Sequence, residues 1–100
     1  MIVAFTARRL KPGAWEQFRN AWEGDASARP PGLQRGIHAR NIRDKDEVIS
    51  FGIFDTTVDE FRRWRQESDA AENKRVDELS AFVANEYVSG VYEVIETFEG

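Results

Sequence analysis

The 100-residue sequence predicts a ferredoxin-like α+β domain, with a four-stranded antiparallel sheet carrying helices on one face in the order β-α-β-β-α-β. Three observations predict it. Two short β-prone runs, one from Ile2 to Ala7 and one from Val48 to Asp55, are apolar on both faces, as strands inside a covered sheet are. Trp15, Phe18 and Trp22 recur at helical spacing. Thr57-Val58-Asp59-Glu60 has the Ser/Thr-x-x-Glu form, whose hydroxyl and carboxylate satisfy free backbone N–H groups at a helix start.

The elements follow in order. After the first strand, Lys11-Pro12-Gly13 punctuates the chain, and the helix bearing the three aromatics runs to a stop at Gly24. Asp25 to Gly32, with Pro30 and Pro31, reads as a surface loop. A second strand is expected from Leu33 to Arg43, with Ile37, Ala39 and Asn41 on one face and His38, Arg40 and Ile42 on the other. Asp44-Lys45-Asp46 is read as the hairpin connection to the third strand. That strand presents Ile49, Phe51 and Ile53 on one side and Val48, Ser50, Gly52 and Phe54 on the other. The second helical region places Val58, Phe61 and Trp64 on one side, breaks between Gln66 and Asp69, and resumes with Val76, Leu79, Phe82 and Val83 in line. A last strand is expected from Val91 to Phe98. Right-handed crossovers then give the strand order 4-1-3-2.

The first and third strands are apolar on both sides, yet the helices cover only one. An apolar sheet face of several hundred Å² is unusual on a soluble monomer, so a second copy of the chain is the expected cover, packed by two-fold symmetry through that face.

Composition narrows the chemistry. A chain of this length suits one domain spanning residues 1–100. It contains no Cys and a single His, so disulfides, thiolate chemistry and multi-histidine metal sites have no residues to form them. No apolar run reaches the roughly 20 residues needed to cross a bilayer, and the expected location is the cytoplasm. The net charge of −4 is uneven: residues 1–45 hold nine Lys/Arg against four Asp/Glu, and the other 55 hold five against fourteen. There is no G-x-G-x-x-G, P-loop or serine elbow. RNA-recognition domains share this element order, but they need aromatics on a basic sheet face. Here Phe51 stands between two isoleucines in an acidic chain, so nucleic acid is not an expected partner.

Several motifs together carry a family resemblance over nearly the whole chain: the opening strand followed by Leu10-Lys11-Pro12-Gly13 and an aromatic-rich helix, Pro31-Gly32 before the second strand, and Phe54-Asp55-Thr56 leading to Phe61-x-x-Trp64. In these the chain resembles the antibiotic biosynthesis monooxygenase-like family of dimeric α/β barrels. The resemblance implies two sheets facing each other in a homodimer, with each pocket between one protomer's sheet and helices. Members of that scaffold include cofactor-independent oxygenases of polycyclic phenols, haem-degrading enzymes, isomerases and proteins without known activity, and fold alone does not choose among them. The haem degraders use an Asn, a Trp and a His. Trp64 matches the Trp, but Thr6 and Lys74 stand at the other two positions, so haem chemistry is not expected.

The candidate site follows from residue type. His38 is the one side chain with an ordinary pKa near neutrality and is the candidate proton acceptor. Trp64 offers a flat surface for stacking a planar ligand, with a core aromatic as its structural alternative. Arg40, on the same strand face as His38, is a candidate for holding an anionic group, and Tyr87 and Trp22 for contacting a phenolic substrate. Glu93, Glu96 and Glu99 read as a solvated edge rather than a metal site. The expected function is a cofactor-independent monooxygenase of small planar or phenolic compounds, without metal or bound organic cofactor. A non-catalytic ligand-binding or structural homodimer is the alternative, and whether a cavity survives between Trp64, Trp22 and the sheet discriminates the two.

Overall fold

A computed structural model describes residues 1–23 and 29–100. The elements are β1 (Ile2–Leu10), α1 (Trp15–Glu23), β2 (Leu33–Asn41), β3 (Asp44–Phe54), α2 (Val58–Glu67), α3 (Asp69–Ser80) and β4 (Val83–Glu93). The strands form one antiparallel sheet in the order β2-β3-β1-β4, the predicted arrangement read from the other edge. The expected stop at Gly24 and the loop residues up to Ala28 lie outside the described residues. No described helix is long and apolar enough to cross a membrane.

Strand alternation decides which residues meet the helices. Ile2, Arg8 and Leu10 of β1 and Val48, Ser50 and Phe54 of β3 are buried, so the even-numbered positions of both strands face the helical layer. Phe18, fully buried, joins Leu10, Val48 and Leu79 in the core cluster, with Trp15, Trp22, Phe82 and Val83 packed around it. Burial of such a side chain stabilises the fold by about 1.5–3 kcal/mol. The opposite face carries Val3, Phe5 and Ala7 against Ile53, Phe51 and Ile49, with Phe5 and Phe51 stacked at 6.4 Å. Val88 and Tyr92 extend it on β4, where they are 40% and 50% exposed.

Several boundaries depart from expectation: β1 runs past Ala7 to Leu10, β2 ends at Asn41 rather than Arg43, and β3 starts at Asp44 rather than Val48. The β2–β3 turn is Ile42-Arg43 rather than Asp44-Lys45-Asp46, because Asn41 already pairs with Asp44 and the Arg43 N–H donates to Asn41 Oδ1 at 2.8 Å. Asp44 is then held by the Arg9 guanidinium and the Asp46 N–H, which keep its carboxyl below the usual range. The last strand begins at Val83 and ends at Glu93 instead of running from Val91 to Phe98. Helix α3 stops at Ser80: the Phe82 N–H closes a turn onto the Leu79 carbonyl, the Lys11 N–H donates to the Phe82 carbonyl, and Val83 pairs with Leu10. Beyond β4, Ile95 and Phe98 are 94% and 91% exposed, so Glu96 and Glu99 belong to no strand.

The break in the second helical region falls at Ser68, as expected. Thr57 caps α2 by accepting from the Glu60 N–H at 3.1 Å, while the Glu60 carboxylate takes the hydroxyl of buried Thr56 at 2.8 Å. Gly32 meets a stricter demand. Its φ of +81° is in the left-handed region, and a Cβ there would run into the Asp55 carbonyl that the turn packs against.

Candidate functional site

Side-chain size on the helix-facing side of the sheet leaves a space. The ends of β1 and β3 carry large apolar groups, Ile2 and Phe54 at one end, Leu10 and Val48 at the other. Between them the same face carries Ala4, Thr6, Gly36, Ser50, Gly52 and Ser89, all small. Helices resting on the large ends cannot collapse onto a floor this low. The result is a cleft of about 760 Å³ with those six residues beneath it and Trp22, Phe61 and Trp64 among its walls. A volume of this order suits a small organic molecule.

His38 stands at the edge of the floor, opposite Ser50 across the β2–β3 pairing. Its Nδ1 is 2.7 Å from the Ser50 hydroxyl, which is itself almost fully buried. The imidazole lies edge-on to Trp22 at 5.2 Å and Trp15 at 5.3 Å, with Phe18 at 6.3 Å. This aromatic box shields part of the ring from water. Burial, reinforced by Arg19 and then by Arg8 and Arg75 against the opposing pull of Glu23, lowers its pKa and favours the neutral base.

Arg8 is the buried cation of the site. A bulge between Ala7 and Arg8 in the β1–β4 ladder brings it opposite Glu86, whose carboxylate accepts from its Nε at 3.1 Å, while Nη1 donates to Thr6 Oγ1 at 2.6 Å. Thr6 in turn donates to the Ser50 carbonyl at 3.4 Å. The guanidinium lies over Phe18 and Trp22, and burial lowers its pKa, with Glu86 working in the other direction. Arg75 of α3 stacks closer still on Trp22, 4.4 Å from the ring centroid.

Of the residues singled out from the sequence, His38, Trp22 and Trp64 line this one cleft, Trp64 tilted against Phe61 at 5.5 Å. Arg40 and Tyr87 are not brought to it. Arg40 shares the strand face of His38 but is exposed and lies over Trp15, 5.8 Å from its centroid. Tyr87 belongs to the opposite sheet face, where its hydroxyl accepts from Arg9 Nε at 3.2 Å. Thr6 and Lys74 both line the cleft. Sequence reasoning missed Arg8, Ser50 and Arg75. The signal for the first two was present in the strand alternation that places Arg8 and Ser50 on the face of His38. Among the described residues no three His, Asp or Glu side chains gather as a metal site would require.

A ferredoxin-like α+β domain with an aromatic cleft between sheet and helices is the class these features define. Its fold is that of the antibiotic biosynthesis monooxygenase-like proteins. SnoaB, a cofactor-independent oxygenase from Streptomyces nogalater, superposes with a TM-score of 0.69 at 21% identity, over 99% of this chain and 98% of that one. A candidate antibiotic biosynthesis monooxygenase from Deinococcus radiodurans gives 0.73 at 11% identity, over 99% and 97%. An uncharacterized NIPSNAP domain protein from Burkholderia xenovorans gives 0.67 at 12% identity, over the full length of both chains. At these identities the likeness is one of fold. No family model and no curated protein matches the sequence.

Proposed function

We propose that this chain is a homodimeric, cofactor-independent monooxygenase of small planar phenolic compounds. The observation that carries the reading is the cleft itself: aromatic walls, a floor of small residues, and a desolvated histidine oriented by a buried hydroxyl. The same fold in a cofactor-independent oxygenase supports it.

The chemistry needs a base and a dry, shaped cavity. His38 accepts the proton of an acidic phenol or of an activated ring methylene, and Trp64 and Trp22 hold the resulting planar anion. The anion transfers electrons to O2, forming a C–O bond to a hydroperoxide that takes up the proton. Loss of water then breaks the O–O bond and leaves a carbonyl at the former CH2, or at the attacked ring C–H of a phenol. One O2 is consumed per substrate, giving one quinone-type product and one water. For His38 to act as base, Nδ1–H donates to Ser50 and Nε2 carries the reactive lone pair.

The dimer follows from the uncovered sheet face, where Phe5, Phe51, Ile49 and Ile53 form an apolar surface that a second copy buries. Sedimentation equilibrium at micromolar concentration tests this part, and a stable monomer overturns it. The activity is tested by oxygen uptake with hydroxylated naphthalenes and anthracenes, comparing the parent with His38→Ala and Trp64→Phe. His38→Ala should lose roughly a hundredfold in rate, the lower range for a positioned general base. Full activity in both variants moves the site elsewhere. Absence of both binding and oxygen uptake in the parent leaves the non-catalytic ligand-binding or structural homodimer.

A further inference from the structure

We propose that the cleft selects a planar aromatic bearing a carboxylate, and that Arg8 and Arg75, both set against the Trp22 ring, recognise the anionic group. The inference rests on the reading of the cleft as a ligand site and adds the charge of the ligand to it. Both guanidiniums line the cleft, with centroid distances to the same indole of 5.4 Å for Arg8 and 4.4 Å for Arg75.

The two are fixed in the same manner. Arg8 uses Nε on Glu86 and Nη1 on Thr6; Arg75 uses Nε on the Trp22 carbonyl at 3.3 Å and Nη1 on Glu72 at 3.3 Å. Among the described residues neither Nη2 has a hydrogen-bond partner. No polar side-chain atom is both buried and unpartnered among those residues, so Arg8 Nη2 keeps some exposure to solvent, in a residue that lines the cleft and is only 8% exposed overall. Glu86 and Glu72 thus hold the planes of the guanidiniums while leaving donors for a further anion, the planar fork that suits a carboxylate. The lining as a whole contains five Arg and Lys against three Glu in a chain of net charge −4. The same positive field reaches His38, where Arg19, Arg8 and Arg75 all oppose protonation. An aromatic carboxylate would stack its ring within the tryptophan walls and direct its charge toward the arginines.

The test is a matched pair of probes, 1-hydroxy-2-naphthoate and 1-naphthol, titrated into the full-length protein by calorimetry. The parent should bind the carboxylate roughly tenfold more tightly or better, the ratio that about 1.4 kcal/mol produces, and the preference should shrink with added salt. In Arg75→Gln, and in Arg8→Gln, the ratio of the two dissociation constants should fall toward one. Arg75 is less buried than Arg8, so its variant keeps the test sound if Arg8→Gln melts early. Equal affinity for both probes in the parent overturns the anion preference and leaves the cleft reading standing. A preference that survives both variants overturns the assignment to these arginines. Failure of both probes to bind overturns the proposal together with the cleft reading.

Discussion

Replacing Ser50 with alanine tests how His38 is oriented. Ser50 is 2% exposed, and its hydroxyl lies 2.7 Å from His38 Nδ1 with no other side-chain partner among the described residues. Loss of such a bond removes about 1 kcal/mol. The half-buried imidazole can turn toward the cleft for water, which keeps the cost from rising to that of an orphaned buried donor. For a domain of this size about 1 kcal/mol lowers the melting temperature by roughly 4–8 °C. The Thr6 bond to the Ser50 carbonyl is untouched by the change, so the sheet keeps its register. The sharper readout is the tautomer. With a single His in the chain, the imidazole nitrogen resonances need no assignment. Nitrogen-15 NMR of the parent should show the Nδ1–H form, and Ser50→Ala should shift the population toward Nε2–H while lowering any oxygenase rate by about tenfold, part of what a positioned base contributes. An unchanged tautomer population in the variant refutes the reasoning, whatever the melting temperature does.

Three further outcomes are expected. The folded state favours neutral His38 and the unfolded chain takes up its proton near pH 6.5, so the parent loses stability relative to His38→Gln as pH falls through that value, levelling off below the lowered folded pKa; parallel melting curves from pH 8 to pH 5 contradict this. Gly32→Ala should cost about 1–3 kcal/mol in urea unfolding, because its Cβ meets the Asp55 backbone at positive φ, whereas Gly13→Ala, with φ +71° and open space around it, should cost only about 1 kcal/mol; equal losses would show that the close approach is not what matters. Ser89→Leu fills the cleft from its floor without meeting a packed core, so calorimetry should show ligand binding weakened by about tenfold or more with less than about 1 kcal/mol change in stability.

Local chemistry made most of this fold legible. The two-sided apolar pattern of β1 and β3, the Trp15/Phe18/Trp22 stripe and the Thr57 cap each agree with their tertiary surroundings. The α3–β4 boundary was hidden because Val76, Leu79, Phe82 and Val83 keep helical spacing, while the force that ends the helix is pairing of Val83 with Leu10, more than seventy positions away in the chain. The apolar residues Ile95 and Phe98 suggested a strand for the converse reason, having the composition of one but no neighbour to pair with beyond the Val94 N–H on the Met1 carbonyl. At the site, residue type pointed to His38, Trp22 and Trp64. Tyr87 was read without knowledge of the β1–β4 bulges, and these decide that its hydroxyl meets Arg9 on the far face.

The low floor between two high ends has a consequence for how this protein can change over generations. Residues that hold the helices, Leu10, Phe18, Val48 and Leu79 at one end and Ile2 and Phe54 at the other, are different from those that shape the cavity. Substitutions at Ala4, Gly36 or Ser89 alter what the cavity admits while leaving the anchoring contacts intact, so selection on ligand preference and selection on foldedness act on separate positions. A scaffold divided in this way can drift far in sequence, and reshape its cavity, without passing through an unfolded intermediate form.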